Sequence, residues 1–330
     1  MAIMNSKLLF ILCSILAISC SSSDSPMQPE GDDTEDALGN WETFAALPTP
    51  RQEVPHVVLD GKIYVPGGIN RSRSASAAME IYEPDSDSWS TGAPLPERLH
   101  HLGMAAAEGT LYILGGYVGN GFTPTSDVYE LNRENAEWNR KANMPTARGA
   151  HAAVEFEGKI YVIGGADRFG RALGINERYD PESDTWITLT PMPTPREHLA
   201  AAVIDTIIYV VGGRSANSGN LVNSARLEAY SPSTNSWTQR RDMPTSRGGL
   251  AAAALHGKLY AFGGEFPGVF IENEEYDPAT NAWRKLVPMP TPRHGIGAAA
   301  VNGKIFVIGG GPNAGFGTTE VNEAFSPPPD

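Results

Sequence analysis

The sequence predicts an all-β fold made of six copies of one four-stranded unit, and three observations carry that expectation. All six tryptophans keep one period: Trp41, Trp89, Trp138, Trp186, Trp237 and Trp283 are separated by 48, 49, 48, 51 and 46 residues. Six glycine pairs, Gly67-Gly68, Gly115-Gly116, Gly164-Gly165, Gly212-Gly213, Gly263-Gly264 and Gly309-Gly310, each begin 26 residues after a tryptophan. The third is composition: 35 Gly and 26 Pro in 330 residues favour many turns over long helices. Length varies only between a glycine pair and the next tryptophan, so a loop grows and shrinks there on an otherwise fixed frame.

At the N-terminus, MAIMNSK is followed by LLFILCSILAIS, twelve apolar or small residues that stop before Cys20. The run is too short to span a bilayer and is expected to be a signal peptide over residues 1–19. Ala17-Ile18-Ser19-Cys20 resembles a bacterial lipobox, in which the cysteine thiol is acylated and becomes the new N-terminus. Leu16 sits one place earlier than in the usual pattern, and the alternative is an ordinary signal peptide with a chance cysteine. Residues 20–40 carry six acidic residues, no Lys or Arg and no regular period, which describes an acidic flexible tether. Cys13 leaves with the signal and Cys20 is spent on lipid, so no thiol is left for disulfides, thiolate catalysis or a Cys-based metal site.

Residues 41–330 form the repeating domain. Each unit opens with an Ala/Val-rich run such as AAAAL, then a tight DGK, EGK, HGK or NGK turn, then an apolar run rich in β-branched and aromatic residues (KIYVP, TLYIL, KIYVI, IIYVV, KLYAF, KIFVI) that ends at the glycine pair. These are strands a and b. After the variable loop, strand c ends in an aromatic, Tyr82, Tyr129, Tyr179, Tyr230, Tyr276 or Phe325. A turn such as EPDSDS or DPESDT leads to strand d, which holds the tryptophan.

The glycine pair, with a tyrosine and a tryptophan at set distances beyond it, resembles the Kelch repeat, and six consistent copies cover residues 41–330. The resemblance implies a six-bladed β-propeller with four antiparallel strands per blade. The domain starts at the d-strand tryptophan Trp41 and stops after a c strand, GTTEVNEAFSP. The N-terminal strand is therefore expected to complete the C-terminal blade and to close the ring without a free edge.

Alternating strand directions put the b-to-c loops and the d-to-a links on one face, and function is expected there. The links carry six entry arginines, Arg51, Arg98, Arg148, Arg196, Arg247 and Arg293, and the loops add Arg71, Arg73, Arg168, Arg171 and Arg214. The domain has 24 basic and 32 acidic residues, a net of −8, yet eleven of its eighteen arginines fall on this rim. With Glu53, Glu97, Asp167, Glu197 and Glu265 as the nearby acids, the rim is expected to carry excess positive charge suited to an anionic ligand. An acid also recurs two residues before each strand-c aromatic (Glu80, Asp127, Glu177, Glu228, Glu274, Glu323), so a structural pairing is the expected role of the entry arginines. The loop arginines stand beside aromatics, which makes Arg71, Arg73, Tyr117, Arg168, Phe169, Arg171, Arg214 and Phe266 the candidate ligand-binding residues.

Six of seven histidines (His56, His100, His101, His151, His198, His294) follow the entry arginines at unequal offsets. Packing of the entry strands is their expected role, and convergence on the channel as a metal or acid–base site is the alternative. The functional expectation is a monomeric, non-catalytic module without cofactor or metal, which recognises an anionic glycan or a protein partner through the loop face. Its expected location is exported and lipid-anchored in the bacterial outer membrane, a sorting that Ser21 fits. The alternative is a mutarotase or epimerase for sialic-acid-like sugars, since the resemblance extends in architecture to the sialic-acid mutarotase group; Glu265 is then the catalytic candidate. The copper-radical oxidases built on the same repeat need a mature cysteine that this chain lacks. Net acidity and the export signal oppose nucleic-acid binding.

Overall fold

The computed structural model describes residues 38–217 and 220–329. The signal segment, Cys20 and most of the tether lie outside them. The repeating domain is a six-bladed propeller of four-stranded antiparallel sheets. In blade 3 the strands run in order as Ala152–Phe156, Lys159–Ile163, Asn176–Asp180 and Thr185–Thr188. Blade 6 takes Gly297–Val301, Lys304–Ile308 and Asn322–Ser326 from the C-terminal end, and Asn40–Thr43 from the other end completes it as strand d. The register there is Asn40↔Ser326, Trp41↔Phe325, Glu42↔Ala324 and Thr43↔Glu323. Strand pairing thus begins at Asn40, one residue before the expected boundary.

Strand b is buried on both faces because it is wedged between neighbouring blades, which is why it reads as a continuous apolar run. The a-to-b turns are tight because Asp60-Gly61, Glu108-Gly109, Glu157-Gly158, His256-Gly257 and Asn302-Gly303 all adopt the left-handed region, as a two-residue hairpin requires. The core lies between blades. One cluster joins Tyr161 and Ile163 of blade 3 to Leu199, Ile208, Val210 and Tyr230 of blade 4.

The tryptophans tie the blades together. Each indole N–H donates to a carbonyl just beyond the previous tryptophan's strand: Trp89 to Ala45 at 2.9 Å, Trp186 to Ala142 at 2.9 Å, Trp237 to Thr190 at 2.9 Å and Trp283 to Arg241 at 2.8 Å. In blades 1, 3, 4 and 5 the strand-c tyrosine packs on its blade's tryptophan and hydrogen-bonds the left-handed residue of the c-to-d turn, as Tyr179 does with Asp184 at 2.7 Å.

The glycine pair is structural. In blade 3 the Gly165 N–H donates to the Arg196 carbonyl at the entry of the next blade, 2.9 Å away. A Cβ on Gly165 would stand 2.7 Å from the Gly149 oxygen, so this approach, at φ 95°, is open only to glycine. The equivalent bond recurs around the ring. It also aligns the entries: Gly68 N–H donates to the carbonyl of Leu99, where the other blades present an arginine carbonyl.

Five entry arginines pair as expected. Arg51, Arg148, Arg196, Arg247 and Arg293 are at most 1% exposed and bind Glu80, Glu177, Glu228, Glu274 and Glu323 of their own blades. In four of these blades a threonine two residues upstream, for example Thr194 on Glu228 at 2.8 Å, takes the second carboxylate oxygen. The sixth departs from the pattern. Arg98 is exposed, one residue ahead of the entry position held by Leu99; the strand place of the recurring acid is taken by Tyr129, and Asp127, two residues before it, pairs with Arg140.

Candidate functional site

The backbone of the six entries closes a second ring around the channel. Residues two places after each entry position are left-handed: Glu53 (φ 58°), His101 (51°), Ala150 (55°), His198 (51°), Gly249 (68°) and Gly295 (58°). Each donates its N–H to the carbonyl of the previous member, from Ala150 to His101 at 2.9 Å round to Glu53 on Gly295 at 2.7 Å. Four of the six are not glycine, so the ring holds side chains in a conformation that costs roughly 1 kcal/mol or more apiece. Two glycines make room for carboxylates. A Cβ on Gly295 would lie 2.6 Å from Glu53 Oε1, and one on Gly249 would meet Glu265 Cγ at 3.4 Å.

With Leu99 as the blade-2 entry, the histidines still follow the entries at unequal offsets, and the offset decides where each one lies. His100 and His294 follow the entry by one residue, His101 and His198 by two, His151 by three and His56 by five. Packing is the role of His56 and His151, which line the narrow channel below the ring. Burial, reinforced by the charges of nearby buried arginines, pushes both imidazoles down to about 3, so they are neutral. The other four lie in or beside a mouth cavity of about 280 Å³ above the ring.

That cavity opens on the expected face and is built from both expected sources. The entries give Gln52, Glu53, His100, His101 and His198; the b-to-c loops give Arg73, Phe122, Arg214, Glu265, Phe266 and Phe316. Its floor is a connected polar network. Arg214 donates through Nε to Glu197 (2.7 Å), through Nη1 to Glu265 (2.6 Å) and through Nη2 to His198 Nε2 (3.0 Å). His198 Nδ1 bonds Glu197. Glu265 Oε2 accepts the Gly315 N–H at 2.7 Å and lies 3.3 Å from His294 Nδ1, which is 3.6 Å from Glu53 Oε1. His294 Nε2 meets the Asn313 carbonyl at 3.0 Å.

Glu53 Oε2 faces His101 Nε2 at 3.2 Å and His198 Nε2 at 3.9 Å. His101 Nδ1 contacts His100 Nδ1 at 2.5 Å, and His100 Nε2 donates to the Gly121 carbonyl at 2.9 Å. Burial lowers His101 well below the ordinary imidazole range despite the pull of Glu53. Burial acts on His294 in the same sense, but Glu53 and then Glu265 outweigh it, and its pKa is raised. Burial would raise Glu197; His198 and Arg214 bring it down to about 2. Among the described residues, Glu53, His101 and His198 form a group whose ligand atoms all lie within 4.8 Å of one another.

The structure divides the candidate ligand residues. Arg73, Arg214 and Phe266 line the cavity, as does Glu265. Arg73 stacks on Phe316, 4.4 Å from the ring centroid, and Arg214 on Phe266 at 5.1 Å. Tyr117 is buried, with its ring 5.5 Å from both His100 and His101, so it backs the histidines. Arg168, Phe169 and Arg171 form a separate loop tip in blade 3, where the two guanidinium groups flank the exposed Phe169 ring and Arg171 pairs with Asp167 at 2.7 Å. Arg71 pairs with Glu320 at 2.7 Å, also away from the cavity.

The expected positive rim therefore does not form at the mouth. Five of the eleven arginines are internal, three more are paired, and the floor brings two carboxylates to the one guanidinium of Arg214. The sequence names Glu53 and Glu197 only as acids of the rim, and it offers convergence of His101, His198 and His294 on the channel as the alternative to packing; the structure places all five in the floor network. A signal was present: counting back sixteen residues from each glycine pair gives Arg51, Leu99, Arg148, Arg196, Arg247 and Arg293, and the residues just after these are the floor.

Comparison with known proteins agrees with this architecture. The KLHDC2/KLHL20/DRC7 Kelch-repeats domain matches residues 100–310, and the Kelch motif matches residues 50–96. The chain is 26% identical to Beta-scruin of Limulus polyphemus over 71% of its own length and 27% of that protein's. It is 30% identical to the Kelch-like protein terF of Aspergillus terreus over 69% of its length, spanning 54% of that relative. The solved structure of YjhT superposes with a TM-score of 0.74 at 16% identity, over 86% of this chain and 97% of that one. With six blades, a glycine pair docking each blade on the next and a family match over most of the repeats, the chain belongs to the Kelch-repeat family.

Proposed function

We propose that the mouth cavity takes a monosaccharide-sized acidic sugar and exchanges its anomers, as an isomerase of the mutarotase type. The observation that carries the reading is one cavity whose floor sets Glu265, fixed by Arg214 and the Gly315 N–H, beside the Glu53, His101 and His198 group. Opening a cyclic hemiacetal needs a base to take the anomeric hydroxyl proton while the ring oxygen gains a proton and its C–O bond breaks. Rotation and reversal give the other anomer with no redox change. Glu265 is the base in this scheme, and a solvent water in the mouth, oriented by the Glu53 group, delivers the proton to the leaving ring oxygen. Arg214 is consumed by Glu197 and Glu265, so Arg73, stacked on Phe316 at the cavity wall, is the cation for the sugar carboxylate. The aromatic wall of Phe122, Phe266 and Phe316 suits the apolar face of a sugar ring.

Anomer exchange followed by nuclear magnetic resonance on N-acetylneuraminate tests this. Glu265→Gln is expected to lower exchange at least about 100-fold with binding retained, and Arg73→Ala to weaken binding. Saturable binding by the unaltered protein without exchange would leave the cavity a recognition site and remove the isomerase reading.

A further inference from the structure

We infer that Glu53, His101 and His198 form the binding site of one divalent first-row transition-metal ion, with zinc the ion best matched to the ligand set, opening onto the mouth cavity. Ring tautomers are the first argument. A carbonyl oxygen only accepts, so His100 carries its proton on Nε2, bonded to Gly121, and offers Nδ1 as an acceptor. His101 therefore donates from Nδ1 to His100, and its Nε2 is left with a lone pair aimed at Glu53 Oε2, 3.2 Å away. His198 is fixed in the same sense: Glu197 holds its Nδ1 proton, and Nε2 accepts from Arg214, which can only donate. Two imidazole lone pairs and a carboxylate oxygen thus converge with no proton to share among them. That is the state in which a metal ligand set is held, including the outer carboxylate and imidazole that orient the two rings through their far nitrogens.

Geometry and charge agree. Tetrahedral bonds of about 2.0–2.1 Å place ligand atoms about 3.3 Å apart. The Glu53 to His101 distance of 3.2 Å meets this, and the 3.9 Å distance to His198 needs a small closure. Glu53, Glu197 and Glu265 are each at most 8% exposed, and the one buried guanidinium among them, Arg214, pairs with Glu197 and Glu265 and leaves Glu53 to imidazoles, so a cation has charge to neutralise. The ion would take His198 Nε2 from Arg214 Nη2, and Arg214 would keep both its carboxylates. Three protein ligands leave a fourth position toward the cavity, the arrangement of a catalytic and not a closed structural site. The metal inference stands without the sugar reading. If both hold, the ion is the Lewis acid at the ring oxygen.

The test is metal content and calorimetric titration of the full chain with zinc chloride, with no sugar present. About one ion per chain is expected, with a thermal midpoint raised by zinc and lowered again by chelator. Glu53→Gln, close in shape to the native side chain, and His101→Ala are expected to abolish stoichiometric binding. Glu197→Gln, which acts through His198, is expected to weaken it by roughly 10- to 100-fold. His256→Ala, in an a-to-b turn on the opposite face, should bind as the native chain does. Should His101→Ala fail to fold, Glu53→Gln with circular dichroism unchanged decides the matter. Zinc-loaded and chelated protein with the same midpoint and no retained metal, or full binding by Glu53→Gln, would overturn the site even if anomer exchange is observed.

Discussion

At the scale of single residues, identical letters in the repeat do different work. The arginine that opens a blade is buried with no accessible surface in Arg247, where it meets Glu274 and the Ala261 carbonyl. Burial pulls such a guanidinium down from its usual range, and the partner carboxylate holds it back. Removing one partner leaves a buried charge unpaired, which costs about 3–5 kcal/mol. Glu274→Gln is therefore expected to lower unfolding stability by about 3 kcal/mol, read from the urea midpoint at unchanged slope. Arg98→Gln, at the entry of blade 2, should leave the midpoint where it is, because that side chain is exposed and Leu99 holds the entry position. Equal losses in the two variants would mean that the pairs are not the source of stability.

At the scale of the element, blade 2 is the irregular one. In blades 1, 3, 4 and 5 the c-to-d turn places Asp87, Asp184, Asn235 or Asn281 in the left-handed region. Its side-chain oxygen accepts both the tyrosine hydroxyl and a backbone N–H of the preceding blade. Blade 2 has Ala136 there, at φ 57°. Tyr129 sits two residues out of the register of the other tyrosines, opposite Arg140, and reaches Glu97 at 3.3 Å, while the Trp138 indole bond lengthens to 3.4 Å. Leu131, not a tyrosine, faces Trp138 here, so Ala136→Asn supplies an acceptor for the backbone of the preceding blade alone, with a residue that tolerates the left-handed region, and is expected to stabilise the protein by about 1 kcal/mol. Thermal unfolding of this variant beside the native chain measures it, and an unchanged or lowered midpoint would show that blade 2 has settled on its own contacts. The same blade explains why the site was less legible in the sequence than the fold. Tryptophan, tyrosine and the glycine pair serve backbone docking and core packing that every blade repeats, so they stand out by period. The floor residues serve no repeated need: position two after the entry holds Glu, His, Ala, His, Gly and Gly in turn. The one-residue displacement of Arg98 hid their common register, and the pairing of Arg214 with Glu197 and Glu265 depends on loops whose course no period describes.

At the scale of the whole molecule, closure rests on four residues. Asn40–Thr43 pairs along its length with Asn322–Ser326, and Trp41 lays its ring 5.2 Å from Phe325 and 5.7 Å from Phe262 while its indole N–H reaches the Val287 carbonyl at 3.1 Å. These contacts join the last blade to the one before it, and so hold in register a ring whose two circles of backbone bonds, at the glycine pairs and at the entries, run unbroken through blade 6. A chain shortened to begin at Ala45 exposes the Asn322–Ser326 strand as an unpaired edge and uncovers Phe325, which is fully buried in the intact domain. The loss of the tryptophan alone corresponds to about 3 kcal/mol. The shortened chain is expected to unfold at a lower midpoint and to self-associate, and a peptide of residues 38–46 added in excess should raise the midpoint by occupying the edge as a fourth strand. Because the floor spans blades on either side of the closure, with Glu53 on one side and Glu265 and His294 on the other, the peptide should also restore ligand binding at the mouth. A shortened chain as stable and monomeric as the intact one would show that the ring closes without its borrowed strand.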